Sequence, residues 1–152
     1  MRIALRVVVA LLFALWWGGF TFYATVVVPI GQRILGSATA QGFVTQPVSN
    51  AINIVGAVVI AVLCWNLIST RRGASPRARR VLMITWALLA VAQVALFVLH
   101  PRLDAMLDTS TRSIASEHSV FYATHRVYLL VATAQWLAAT VHAVAVGYAW
   151  AG

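Results

Sequence analysis

FYATHRVYLLVATAQWLAATVH, residues 121–142, is the stretch whose reading decides the fold. It is oily throughout, yet it holds His125, Arg126, Gln135 and His142. It lies inside an apolar run over residues 120–150, and about 20 apolar residues at 1.5 Å each suffice to cross a ~30 Å hydrocarbon core. Three further runs, over residues 7–30, 48–69 and 81–100, reach or approach that length. A chain of 152 residues that is 62% hydrophobic and 9% charged cannot bury four such segments in a soluble core. The runs are continuous and lack the alternation of a lipid-facing barrel, and a helix satisfies its own backbone in lipid. The expected fold is therefore an all-α integral membrane protein, a single domain over residues 1–152 built as a four-transmembrane-helix bundle.

Charge supplies an expected orientation. The net charge of +8 comes from 11 basic residues, all arginine, set against three acids. Arg71, Arg72, Arg77, Arg79 and Arg80 crowd one short connection, which the positive-inside rule places in the cytoplasm. Both termini then lie on the cytoplasmic side of a bacterial-type inner membrane. Those arginines are also expected to meet anionic lipid headgroups. Nucleic acid is not expected, because no polar domain carries a basic groove. The first run follows Arg2 and Arg6 but is too long for a signal-peptide core, so it reads as a membrane helix that ends near Pro29. The lone Cys64 excludes an intrachain disulfide and reads as a small buried filler.

Polar residues within the spans define candidate sites, since ionisable groups in hydrocarbon tend to face protein or a wet cavity. In the second span Gln46, Asn50 and Asn53 share one stripe at 100° per residue, continuing into Ala57 and Cys64. The third aligns Trp86, Gln93, Phe97 and His100. In the fourth, Thr124, Tyr128, Ala132, Gln135, Ala139 and His142 form a small, polar face, His125 borders it, and Arg126 points away. A candidate polar pocket in the outer half follows: Asn50, Asn53, Gln93, His100, His125, Arg126 and Tyr128. Gly18 and Gly19, with Ala132, Gln135, Ala139 and His142, are expected to form a helix-packing seam. In the connections, ATAQGFV over residues 38–44 suggests a short interfacial helix. Pro101 with Leu103, Met106 and Leu107 suggests a short amphipathic helix in the outer third loop.

The stretches WWGGFTFYATVVVP, AQGFV, HPRLDAMLD and FYATHR resemble a widespread four-span membrane family that includes eukaryotic transmembrane protein 205 and bacterial relatives. The likeness runs from about Trp16 to Val144 and rests chiefly on the span-one glycine, Phe22, Pro29, His125 and Arg126. It implies a compact helical bundle and lends no reaction.

Chemistry narrows the functions further. No GxSxG, HExxH or phosphate-binding loop occurs, and no pair of acids lies within a span, so no enzyme activity is expected. The mid-depth polar groups are amides, which cannot relay protons by titration. His100, His118 and His125 are weak metal candidates, without the tight spacing of a zinc or copper site. His142 lies 17 residues beyond His125 and so shares no depth with it for bis-histidine haem. The expectation is a non-enzymatic accessory or interaction protein, in an oligomer with itself or with other membrane proteins, needing no cofactor. The alternatives are a small-solute or metal-ion handling protein using the outer-half pocket, and a haem-binding subunit.

Overall fold

The protein is described by a computed structural model over residues 2–69, 75–108, 110–111 and 113–151. Helix α1 spans Arg2–Phe22 and continues through a π-helical turn, Tyr23–Val27, into α2, Val28–Leu35. Helix α3 is Ala38–Ser69, α4 is Pro76–Asp104, and α5 is His118–Ala151. Between the last two helices, strands β1, Leu107–Asp108, and β2, Ser113–Ile114, form a small antiparallel hairpin. Four helical segments, Ile3–Leu35, Thr39–Ser69, Pro76–Asp104 and His118–Trp150, are long and apolar enough to cross a membrane. The chain is thus an all-α, multi-pass membrane bundle. Its outer surface agrees, with Leu11, Leu15, Val91 and Leu130 each about two-thirds exposed, a coat that lipid solvates and water would not.

Three expectations about the ends of the spans are corrected. Pro29 does not end the first span; the helix runs six residues further and closes at Gly36. There the backbone is left-handed at φ 62°, and its N–H donates to the Gln32 carbonyl at 3.1 Å, a conformation glycine adopts without steric cost. Pro29 offers no N–H to the carbonyl four residues back, and the wide π turn immediately before it absorbs that mismatch, the Val28 N–H bonding the Tyr23 carbonyl. Residues 38–44 are helical but form no separate interfacial helix. They are the opening turns of α3, which passes straight through Pro47. The amphipathic helix expected at Pro101 is absent too: α4 continues through Pro101 to Asp104, and Leu107 enters the hairpin.

The turn chemistry explains the hairpin. Asp108 Oδ1 accepts from the Ser110 N–H at 2.8 Å, the Ser110 hydroxyl at 2.6 Å and the Thr111 N–H at 3.3 Å. Hydrogen bonds from the Ser110 and Thr111 side chains, then from their backbones, hold the Asp108 carboxyl down at about 2. Such side-chain bonds compete with helix and favour a turn. Pairing Leu107 with Ile114 points both side chains to one face.

Helix α4 packs against α3 and α5, and α1 against α3. The buried face of α4 is Leu82, Thr85, Leu89, Gln93, Leu96, His100 and Leu103, a run of three- and four-residue steps. This lies to one side of the stripe expected from sequence, because Phe97 is 42% exposed on the outer surface and Leu96 takes its inward place. Lipid tails are as apolar as leucine, so this core is held by close packing and interhelical hydrogen bonds. Trp17 stacks on Trp136 at 5.5 Å, the Trp136 indole donates to the Thr21 hydroxyl at 2.8 Å, and Arg6 donates to the Trp150 carbonyl at 3.2 Å while lying over its ring. Those contacts tie α1 to α5.

Candidate functional site

A cavity of about 270 Å³ opens where α2, α3, α4 and α5 meet the hairpin. Its placement follows from the local features just described. The π turn brings Tyr23 and Val28 onto the same wall. The early start of α3 contributes Gln41, Gly42, Thr45, Gln46 and Ser49. The extension of α4 through Pro101 adds Leu103 and Asp104 beyond His100, while Phe121, His125, Tyr128 and Leu129 come from the first turns of α5. The Leu107–Ile114 pair of the hairpin closes the end.

The polar groups on these walls are organised in two sets. His100 Nε2 lies 3.2 Å from the Gln46 main-chain carbonyl and Nδ1 lies 2.9 Å from Asp104 Oδ2. A carbonyl only accepts, so Nε2 carries a hydrogen and donates. The imidazole thereby bridges the α3 backbone and the Asp104 carboxyl. In the second set, the Ser49 hydroxyl interacts with the hydroxyls of both Tyr23 and Tyr128, and Tyr23 also donates to the Thr45 carbonyl at 3.4 Å.

From Tyr128 a buried amide chain leads away from the cavity into the bundle centre. Asn53 Nδ2 donates to the Tyr128 hydroxyl at 3.3 Å, Gln93 Nε2 to the Asn53 main-chain carbonyl at 3.0 Å, and Gln135 Nε2 to Gln93 Oε1 at 3.0 Å. Asn53, Gln93 and Gln135 are each at most 5% exposed, so each replaces water with a protein partner.

No known protein family, characterised protein or solved structure matches the chain. The reading of the site therefore rests on its own chemistry.

Of the residues expected to line an outer-half pocket, His100, His125 and Tyr128 line the cavity. Asn53 and Gln93 belong to the amide chain behind it. Asn50 and Arg126 are exposed and do not reach it. The expected stripe through Asn50 fails because the face turned inward is Gln41, Thr45, Ser49 and Asn53, four-residue steps that begin in turns assigned from sequence to a separate interfacial helix. Gln41 was missed for that reason, and extending the second span by two turns would have exposed the pattern.

The packing seam also needs correction. Ala132, Gln135, Ala139 and His142 are buried together on α5, and His142 Nδ1 lies 2.7 Å from the Thr85 hydroxyl. Gly18 and Gly19 do not join them: a Cβ at either would meet nothing within 4 Å. The glycines of close approach are Gly56, where a Cβ would lie 2.7 Å from Trp16 Nε1 and 2.8 Å from Gln93 Oε1, and Gly31, where it would run into the Gln41 side chain.

Among the described residues no three His, Cys, Asp or Glu side chains converge as a metal site. His100 has both nitrogens engaged, His118 is exposed at the start of α5, and His125 stacks on Phe121 at 6.0 Å. Arg77, Arg79 and Arg80 are exposed in the first turns of α4, where positive charge opposes the helix dipole. Helix stability therefore does not account for their position. Arg71 and Arg72 lie outside the described residues.

Proposed function

We propose that this protein is a non-enzymatic membrane protein that binds a small, largely apolar molecule in the cavity beneath the hairpin. The observation that carries this reading is the cavity itself, about 270 Å³ and walled by Val28, Leu103, Leu107, Ile114, Phe121 and Leu129 beside a small set of polar groups. Aliphatic and aromatic side chains with a few hydroxyls and the hydrogen-bonded His100–Asp104 pair make the composition of a small-molecule pocket.

The test is occupancy. Gly42 lines the cavity, and a Cβ there meets no atom within 4 Å, so Gly42→Phe has room at its branch point and is expected to take up part of the space. Gently extracted wild-type protein should carry a small molecule detectable by native mass spectrometry, and the folded Gly42→Phe protein should lack it. Equal occupancy in the two proteins would refute the reading.

A second reading, an accessory subunit in an oligomer, draws support from the first span. Only 11% of its apolar window is buried within the chain, against 28–33% for the other three, which leaves a face for a partner helix. We also propose kinship with the transmembrane protein 205 family; His125, one of the positions that carry the resemblance, lines the cavity.

For orientation, the arginine-rich loop supports a cytoplasmic α3–α4 connection and a hairpin on the opposite side of a bacterial-type inner membrane. In a Cys64→Ser background, a membrane-impermeant maleimide added to intact cells should label Ser110→Cys and spare Arg77→Cys. The reverse pattern would invert the topology.

A further inference from the structure

At the end of the bundle opposite the hairpin, a groove of about 300 Å³ runs between the start of α4 and the end of α5. Leu82, Ala145 and Val146 form a small buried cluster there, and buried Ala145 is the groove's floor. Val81 on α4 and Val141 and Val144 on α5 flank it with exposed apolar side chains. About one turn nearer the helix ends, Arg77 and Tyr148 complete the wall, both exposed. The Thr85–His142 and Gln93–Gln135 hydrogen bonds show α4 and α5 running antiparallel, so these two ends coincide. The groove is therefore polar at the helix termini and apolar toward the middle of the bundle. A phospholipid in a leaflet has the same gradient, headgroup at the surface and acyl chain inward.

Charge specifies the headgroup. The three acidic side chains of the chain are Asp104, Asp108 and Glu117. Asp104 closes α4, Asp108 lies in the hairpin and Glu117 precedes α5, all at the far ends of these two helices. Arg77 thus has no carboxylate side chain of the protein to pair with, and it sits in the first turn of α4, where the helix dipole disfavours a cation. The neighbouring backbone donors are already used: Ser75 Oγ accepts from the Ala78 N–H at 3.2 Å, and the Ser75 carbonyl accepts from the Arg79 N–H at 2.9 Å. An anion at this end therefore meets the Arg77 guanidinium, whose planar fork holds a phosphate through two parallel N–H donors. Tyr148, with an apolar ring and a polar tip, suits the level of the headgroup. We propose that this groove binds one anionic phospholipid, its phosphate at Arg77 and Tyr148 and one acyl chain along Val81, Val141 and Val144.

A diffuse basic surface would treat exposed arginines alike. The groove singles out Arg77, because Arg79, equally exposed in the same turn, does not line it. The full-length protein in micelles is titrated with equimolar dioleoylphosphatidylglycerol and dioleoylphosphatidylcholine, and bound lipid is counted by native mass spectrometry. The wild type should retain one phosphatidylglycerol in preference to phosphatidylcholine. Arg77→Gln should weaken that binding by about tenfold or more, the usual worth of a hydrogen bond to a charged group. Arg79→Gln should weaken it by no more than about twofold, through screened long-range attraction alone. Ala78→Asp, which sets a carboxylate on the groove wall, should abolish it. Removing a cation from the first turn of a helix, or adding an anion there, is favourable to the helix, so melting in lipid-free micelles at or above the wild-type temperature verifies both folds. Excess glycerol 3-phosphate, a headgroup without chains, should not displace the lipid. The proposal is overturned if the wild type shows no preference for phosphatidylglycerol, if Arg79→Gln loses as much as Arg77→Gln, or if Ala78→Asp binds as the wild type does. Displacement by glycerol 3-phosphate would overturn the lipid as occupant and leave a site for free anions.

Discussion

Gly56→Ala should destabilise the bundle by about 1–3 kcal/mol, the usual cost of forcing extra volume into a packed interior. The new Cβ would sit 2.7 Å from Trp16 Nε1 and 2.8 Å from Gln93 Oε1, separations that packed carbon atoms do not tolerate. Neither neighbour gives way easily. Trp16 is a rigid ring at 3% exposure inside the α1–α3 contact, and Gln93 is held by hydrogen bonds on both sides of its amide. Relief therefore means either opening α1 from α3 or breaking the amide chain. Gly18→Ala and Gly19→Ala provide the contrast: nothing lies near their Cβ positions, and alanine is the better helix former by up to about 1 kcal/mol, so both should be neutral or stabilising. Equilibrium unfolding of the three variants in mixed micelles checks the order. A Gly56→Ala protein as stable as the Gly18→Ala protein would show that the close approach is not required.

Gln93→Leu should cost a further distinct amount, about 2 kcal/mol, for a different reason. It removes the acceptor of Gln135 Nε2 and the donor to the Asn53 carbonyl, leaving the Gln135 amide buried and unpaired. Single interhelical hydrogen bonds in membranes are worth only about 0.6 kcal/mol on average. Most of the expected loss is the orphaned amide, which carries the larger penalty of an unmade bond. The double variant Gln93→Leu with Gln135→Leu should accordingly recover part of the stability lost in the single one, since removing both partners leaves no orphan. A double-mutant cycle by unfolding in micelles measures this coupling. A double variant whose loss equals the sum of the two singles would mean that the residues act independently.

Tyr128 connects these two effects to the cavity. Its hydroxyl accepts from Asn53 and interacts with Ser49 at the cavity wall, so the amide chain and the cavity share a side chain. Gly56 lets Gln93 reach its place, Gln93 anchors the α3 and α5 amides, and Tyr128 presents the end of that chain to the cavity. A packing residue on α3 is thereby linked by contacts to a cavity wall further along the bundle.

How much of the site was legible depended on where each helix was taken to begin. The buried face of α5, with Ala132, Gln135, Ala139 and His142, follows from 100° per residue alone, because no proline or bulge disturbs the register between Thr124 and His142. The opening of α3 was obscured by Pro47, which reads as a boundary in a soluble chain. In a membrane, helices tolerate proline because neighbouring groups satisfy the freed backbone, and here the helix passes through it. Gln41, Thr45 and Ser49 were lost with those two turns. Pro29 and Pro101 misled in the same way, and the glycine pair in WWGG drew attention to a notch that no neighbouring helix fills.

Four apolar runs with one basic connection were enough to establish the membrane bundle, because hydrocarbon admits only helices of a certain length with their backbones satisfied internally. Which glycines are crowded, which amides find partners and whether the hairpin closes over a cavity were settled only by the tertiary structure. Each of these depends on distances between helices far apart in sequence, and periodicity along one helix carries no information about how closely another approaches it.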